Sequence, residues 1–253
     1  MRKEKDFGNI KIYVEDSYEE MGIKAAEIMA KELNNNPHGV YGFATGSTPL
    51  STYKALINKY NTGTDFSGIT TFNLDEYYPI KKTNDQSYDY FMRENLFNHI
   101  NVKQENIHIP NGEALDPEEE CISYEAKIRN VDGIDLQILG IGANGHIGFN
   151  EPASCFSSKT NYISLTESTI SANARFFASE EDVPKHALTM GIKTIMNARK
   201  ILLLVNGEKK NEILRDALFG DITPALPASI LQLHPDVSVV IDSEAASSLE
   251  GYL

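Results

Sequence analysis

Short apolar runs alternate along this chain with longer amphipathic stretches, and that alternation limits what the chain can fold into. Residues 10–15, 40–45, 69–74, 134–139, 201–205 and 237–241 read as strands, with a shorter one at 162–165. Helical patterns lie between them. Ser17 is placed to N-cap the first, with Glu20 three residues on as a capping-box partner. Met21, Ala25, Ile28, Met29 and Leu33 follow near helical spacing, and Asn34-Asn35-Asn36-Pro37 ends it. Further helices are expected from about 49, over 87–97, over 117–129 and over 208–219. This alternation predicts an α/β fold: a doubly wound, mostly parallel, Rossmann-like sheet with helices on both faces. No linker, repeat or low-complexity stretch interrupts it, so a single domain is expected over 1–253. The polar stretch 166–183 is expected to form a mobile lid.

The bulk numbers exclude several classes. A chain of 253 residues is long enough for a full core, and a hydrophobic fraction of 41% is ordinary for a soluble protein. The net charge of −13 argues against non-specific binding to nucleic acid or anionic membrane. An anionic small ligand would need local Lys, Arg and backbone N–H groups. Cys121 and Cys155 are the two cysteines, which predicts reduced thiols in a cytoplasmic protein rather than a disulfide framework. The opening MRKEKDFGNI has charge but no apolar core of a secretory signal, and no run of about 18 apolar residues is present to span a membrane.

In open α/β sheets, ligands bind beyond the carboxyl ends of strands. After 134–139 comes GIGANGHIGFNEP, residues 140–152, where His146 and Glu151 sit in a glycine-rich turn. Gly140, Gly142 and Gly145 spell a dinucleotide fingerprint, but Gly148 and Pro152 interrupt the helix such a site needs. A strand followed by an Asn-Gly turn explains the glycines, but not the crowding of His, Asn and Glu. After 40–45 comes Thr45-Gly46-Ser47-Thr48-Pro49, a loop whose hydroxyls and free N–H groups suit a phosphate. Alone it is also what any capped βα turn looks like, with Pro49 at the first helical position. It is not a Walker A loop, because no Lys follows the glycine. After 201–205 come Lys209 and Lys210, expected in the first helical turn, where cations oppose the macrodipole unless an anion binds. Arg175 is a third candidate phosphate partner. After 69–74 come Asp75 and Glu76, carboxylates suited to proton abstraction, though a solvated acidic turn looks the same.

Taken together, FATGSTPL, FNLDEYY, GIGANGHIGFNEPAS, ARFF, NGEKK and LQLHP resemble the glucosamine-6-phosphate deaminase family, in order and near spacing, from about residue 10 to 245. The resemblance implies isomerising, hydrolytic deamination of D-glucosamine 6-phosphate to D-fructose 6-phosphate and ammonia, in amino-sugar catabolism, with no cofactor and no metal. It gives Asp75 the part of the base that takes the C2 proton and returns it at C1. His146 becomes the acid/base that opens the sugar ring, with Glu151 and Asn144 as its relay or orienting partners. Some members carry Asp where this chain has Asn144; an amide holds a hydrogen bond but relays no proton, so Asn144 orients and Glu151 carries the charge. Ser47, Thr48, Arg175 and Lys210 become phosphate ligands, with Thr45 and Gly46 shaping the loop and Lys209 the lesser lysine.

The longer, regulated members resemble oligomers activated by N-acetylglucosamine 6-phosphate, held partly by basic residues just after N-E-P-A-S. Here that stretch is Lys159-Thr160-Asn161-Tyr162-Ile163, with Asn161 and Ile163 at the positions expected to be basic. With the C-terminus ending at Leu253, this predicts an unregulated enzyme, with a monomer favoured over a homo-oligomer. Three rivals remain at this stage. One is a deaminase for galactosamine 6-phosphate, which would use the same loops. Another is a 6-phosphogluconolactonase, which shares the G-H turn but typically lacks the F-N-E-P continuation. The last is a sugar-phosphate sensor, which has no need of Asp75, His146 and Glu151 together and for which no helix-turn-helix segment is evident.

Overall fold

A computed structural model describes residues 3–177 and 179–253. In chain order the first half holds strands β1 (Lys3–Asp6) and β2 (Ile10–Glu15), helix α1 (Tyr18–Asn35), β3 (Val40–Phe43), α2 (Leu50–Asn61), β4 (Thr70–Asn73), β5 (Asp75–Tyr78), α3 (Tyr88–Asn95), β6 (Ile107–His108) and α4 (Pro117–Asn130). The second holds β7 (Leu136–Leu139), β8 (Asn161–Ser164), α5 (Glu167–Asn173), β9 (His186–Thr189), α6 (Ile192–Met196), β10 (Lys200–Val205), α7 (Asn211–Phe219) and β11 (Val237–Asp242).

The main sheet runs β1-β2-β11-β10-β7-β3-β4-β6 and is parallel except for β1, which pairs antiparallel with β2 at one edge. Its central strands are buried on both sides, as a sheet covered on both faces requires; β7 is buried throughout. Two aromatic contacts fix that covering. Phe43 packs against Tyr53 of α2, whereas Phe72, in register with Gly42 and so on the opposite side of the pleat from Phe43, packs against Tyr124 of α4. Helices therefore lie on both faces, as the sequence predicts.

Local rules explain the helices. Ser17 Oγ accepts from Glu20 N at 3.2 Å, and Met21, Ala25, Met29 and Leu33 form a buried stripe of α1 at i, i+4 spacing. Asp116 caps α4 by accepting from Glu118 N and Glu119 N, with Pro117 opening the helix.

The structure adds a second sheet that the sequence does not announce: β5-β9-β8, antiparallel throughout. Residues 75–78 are therefore a strand and not the acidic turn of the plain reading. Leu74 makes the junction. Its N–H donates to Phe43 O at 3.0 Å in the main sheet, and its carbonyl accepts from Met190 N at 2.7 Å beyond the small one. The chain thus leaves one sheet and enters the other within a single residue, and Asp75 is the first residue across. The expected lid, 166–183, contains α5 and two short 3-10 turns; residue 178 lies outside the described residues. Among the described residues no helix is long and apolar enough to cross a membrane.

Candidate active site

The loops after β3, β4, β7 and β10 meet at one cleft of about 350 Å³. Asp75, His146, Arg175 and Lys210 line it, together with the whole of Thr45-Gly46-Ser47-Thr48. Eight of the ten residues picked out from sequence therefore share one wall or floor. The other two, Asn144 and Glu151, stand behind His146.

The phosphate-like side is a loop held from below. Tyr18 donates its hydroxyl to Ser47 O at 2.6 Å, and Thr48 Oγ1 donates to Asn206 Oδ1 at 2.7 Å. Thr48 therefore ties this loop to the one after β10 rather than capping α2, whose start carries no side-chain cap; Pro49 occupies the cap position itself. Gly46 has φ +101, a conformation that L side chains rarely adopt, with open space where a Cβ would stand. Lys209 and Lys210 do not lie in the first turn of α7, as expected, but in a 3-10 turn over Glu208–Lys210 that precedes it. The two diverge: Lys210 lines the cleft, half-buried, and Lys209 is exposed. Burial lowers the proton affinity of Lys210.

The opposite side carries the chemistry. His146 Nδ1 lies 2.7 Å from Asn144 Oδ1, and Asn144 Nδ2 donates to Glu151 Oε2 at 2.6 Å. A carboxylate only accepts, so the amide must turn its NH₂ to Glu151 and its oxygen to the ring. That places the imidazole proton on Nδ1 and leaves Nε2 as the nitrogen that can take a ligand's proton. Glu151 Oε1 is 3.6 Å from the same Nδ1 and also accepts from Thr169 Oγ1. Burial pushes the Glu151 carboxyl up, but its bonds to His146, Thr169 and Asn144 outweigh burial and hold it down at about 2. The ring lies against the backbone of Gly142, where a Cβ would fall 2.2 Å from His146 Cε1, so only glycine fits there.

Asp75 and Glu76 are 6% and 2% exposed, which removes the solvated-turn reading. Burial, and then the charge of Glu76, push Asp75 up to about 8. In β5 Asp75 pairs in register with Thr189, whose hydroxyl accepts from Phe149 N at 3.1 Å. Asn150 Nδ2 donates to Ile147 O and to Met190 O, both at 2.8 Å. The small sheet thus holds the histidine loop beside Asp75.

Tyr88, Phe149, Thr169 and Asn173 also line the cleft and were not picked out from sequence. Tyr88 is the first residue of α3, directly after the capping Ser87; its place near an acidic loop was the available signal. Thr169 and Asn173 sit in a polar stretch with nothing to mark them. Among the described residues no three His, Cys, Asp or Glu side chains converge to hold a metal ion.

A Rossmann-like fold with a buried carboxylate and a relayed histidine at its strand ends has the make-up of an acid–base enzyme. The family model of glucosamine-6-phosphate isomerases/6-phosphogluconolactonase matches residues 15–240, and the chain belongs to this family. A glucosamine-6-phosphate deaminase of Alkaliphilus oremlandii (strain OhILAs) is 59% identical over 239 residues, spanning 94% of this chain and 99% of the relative. One of Clostridioides difficile (strain 630) is 54% identical over 241 residues, spanning 95% and 97%. The solved structure of a monomeric glucosamine-6-phosphate deaminase superposes with a TM-score of 0.91 at 47% identity, covering 94% of this chain and 99% of that one.

Proposed function

We propose that this protein converts D-glucosamine 6-phosphate and water to D-fructose 6-phosphate and ammonia. The observation that carries the reading is one cleft with Asp75 buried on its floor, His146 fixed in a single tautomer, and a Thr45–Thr48 cradle with Lys210 at the far side. Relatives at 54–59% identity named for this activity support it.

The phosphate is held by Ser47, Thr48, Lys210 and Arg175, with Thr45 and Gly46 setting the loop. His146 Nε2 takes the proton of the O1 hydroxyl and delivers it to the ring oxygen, which opens the sugar to its aldehyde. Glu151, through Asn144, orients the ring and stabilises the imidazolium that forms in passing. Asp75 then removes the C2 proton, giving an enolamine, and returns it to C1. The unsaturation now lies between C2 and nitrogen; water adds to C2 and ammonia leaves. The reaction is thus an isomerisation completed by hydrolysis of a C–N bond, in which reduction at C1 balances oxidation at C2 and no external oxidant or reductant is needed. A substrate ammonium near Asp75 favours the ionised carboxylate that the first proton transfer needs.

By the same reading the chain is one cytoplasmic domain, its lid over 166–183 closes on the bound sugar, and it works as an unregulated monomer. Hyperbolic kinetics unaffected by N-acetylglucosamine 6-phosphate, and a monomer mass by light scattering, are the expected results. The deciding assay measures ammonia and fructose 6-phosphate from glucosamine 6-phosphate, with galactosamine 6-phosphate and 6-phosphogluconolactone as rival substrates. Equal yields of the two products from the first sugar are expected. Turnover of a rival alone would move the assignment to it, and tight sugar-phosphate binding without turnover would make the protein a sensor.

A further inference from the structure

Glu76 takes no part in the steps above, yet it is the most tightly held carboxylate near the cleft. Consecutive strand residues face opposite sides, so Asp75 looks into the cleft and Glu76 toward the start of α3. Glu76 Oε1 accepts from Tyr77 N and Tyr88 N, both at 2.9 Å. Its Oε2 accepts from Ser87 Oγ at 2.8 Å and Asp89 N at 3.0 Å. A carboxylate here satisfies the open N–H groups of the helix and suits its dipole. Through these bonds the first residue of α3 is tied to the side chain that follows the base. That residue, Tyr88, lies parallel to Phe149 at 6.0 Å on the cleft wall, and its hydroxyl bonds to that of Tyr77.

We propose, on the deaminase reading above, that Glu76 is a positioning residue of the reaction: from behind β5 it fixes Tyr88 against the cleft and places a second carboxylate at the back of Asp75. The groups facing Asp75 from its own strand and the packed helices are Glu76, Tyr77, Tyr88 of α3, Tyr53 of α2 and Tyr124 of α4. Across the cleft stand His146, Arg175 and Lys210. All the tyrosines are raised by burial and stay neutral, so Glu76 is the one carboxylate of this set. Its own proton affinity is raised by burial to about 7, against hydrogen bonds that pull it down. Burial, and then the charge behind it, make Asp75 a stronger base than a solvated carboxylate, which suits a proton taken from carbon.

Glu76→Gln keeps the size and removes the charge. The acid limb of kcat/KM is expected to move down by roughly one pH unit. Glu76→Asp keeps the charge and shortens the reach; its acid limb stays in place while KM rises several-fold as Tyr88 loses its anchor. A folded Glu76→Gln protein with an unmoved limb, or an equal shift in Glu76→Asp, overturns the proposal. If Glu76→Gln does not fold, Ser87→Ala removes one donor and keeps the charge: a higher KM with an unmoved limb supports the proposal, and an unchanged KM sinks it. The Asp75 carboxyl band in the infrared, assigned against Asp75→Asn, reads the same shift without turnover. A wild-type protein that releases no ammonia therefore defeats the deaminase reading alone, whereas an unmoved band midpoint in Glu76→Gln defeats this one.

Discussion

Two carboxylates serve the same cleft and are driven in opposite directions. Asp75, at the seam between the sheets, is pushed up to about 8 by burial and by the charge behind it. Glu151, in the loop after β7, is burdened by burial too, yet His146, Thr169 and Asn144 hold it at about 2. The difference lies in the donors. Glu151 is surrounded by groups that give it protons to share, and Asp75 by tyrosines and a neighbouring acid. One environment makes a base able to capture a proton, the other a permanent charge able to steady an imidazolium. Environment, more than residue type, assigns the roles.

The largest test of this contrast is Asp75→Asn. Turnover is expected to fall by about 10³-fold or more, near the upper range for removal of a general base, with the dissociation constant for glucosamine 6-phosphate little changed. Single-turnover kinetics and calorimetry separate the two; a loss confined to binding would show that Asp75 holds substrate and does not take its proton. Glu151→Gln comes next. It removes the charge behind His146 but no phosphate ligand, so kcat should drop roughly 10- to 100-fold with KM nearly constant. Unimpaired kcat would leave Asn144 alone as the orienting partner. Lys210→Ala should instead raise KM by about tenfold or more with kcat held, the loss of one charge-assisted phosphate contact. A kcat loss of the same size would place Lys210 in the chemistry.

The smallest expected effect is on stability, and it has opposite signs at the two sites. Asp75 binds its proton more tightly folded than unfolded, so its contribution is full at low pH and is lost as pH rises through about 8. Asp75→Asn escapes that loss, and at pH 8 it should melt a few degrees above wild type, on the order of 1 kcal/mol or more. Glu151 is depressed, so its contribution is present above the usual carboxylate range and lost as pH falls toward about 2. Glu151→Gln should therefore melt lower than wild type at pH 7. Melting curves that move the same way for both variants would break the comparison.

What the sequence reveals and conceals follows the same divide. Strands buried on both faces, such as the runs around Ile138 and Leu203, are legible because nothing but a covered parallel sheet wants so continuous an apolar segment. The first helix is legible from its cap Ser17 and the stripe of Met21, Ala25, Met29 and Leu33. Of the small sheet only β8, expected at 162–165, is legible. Asp75-Glu76-Tyr77-Tyr78 opens with two acids, a poor strand signal, and is buried only because α3 supplies donors to Glu76 and β9 supplies a pairing edge. Lys3–Asp6 pairs through its backbone while every side chain is exposed, so no periodicity marks it. In the site, the strand-end loops were legible because glycines and chemistry-bearing residues cluster there. Thr169 and Asn173 reach the cleft only through the path of the chain in space.

The hydrogen bond from Thr169 to Glu151 has a consequence beyond tuning. Thr169 belongs to α5, within the segment that also brings Asn173 and Arg175 to the cleft. The enclosure and the proton machinery thus share a fastener, as in a door whose latch closes the circuit. The same segment gives Glu151 a donor through Thr169 and sets Arg175 at the cleft. One short stretch of chain thus supplies both a donor to the histidine relay and part of the cleft's lining.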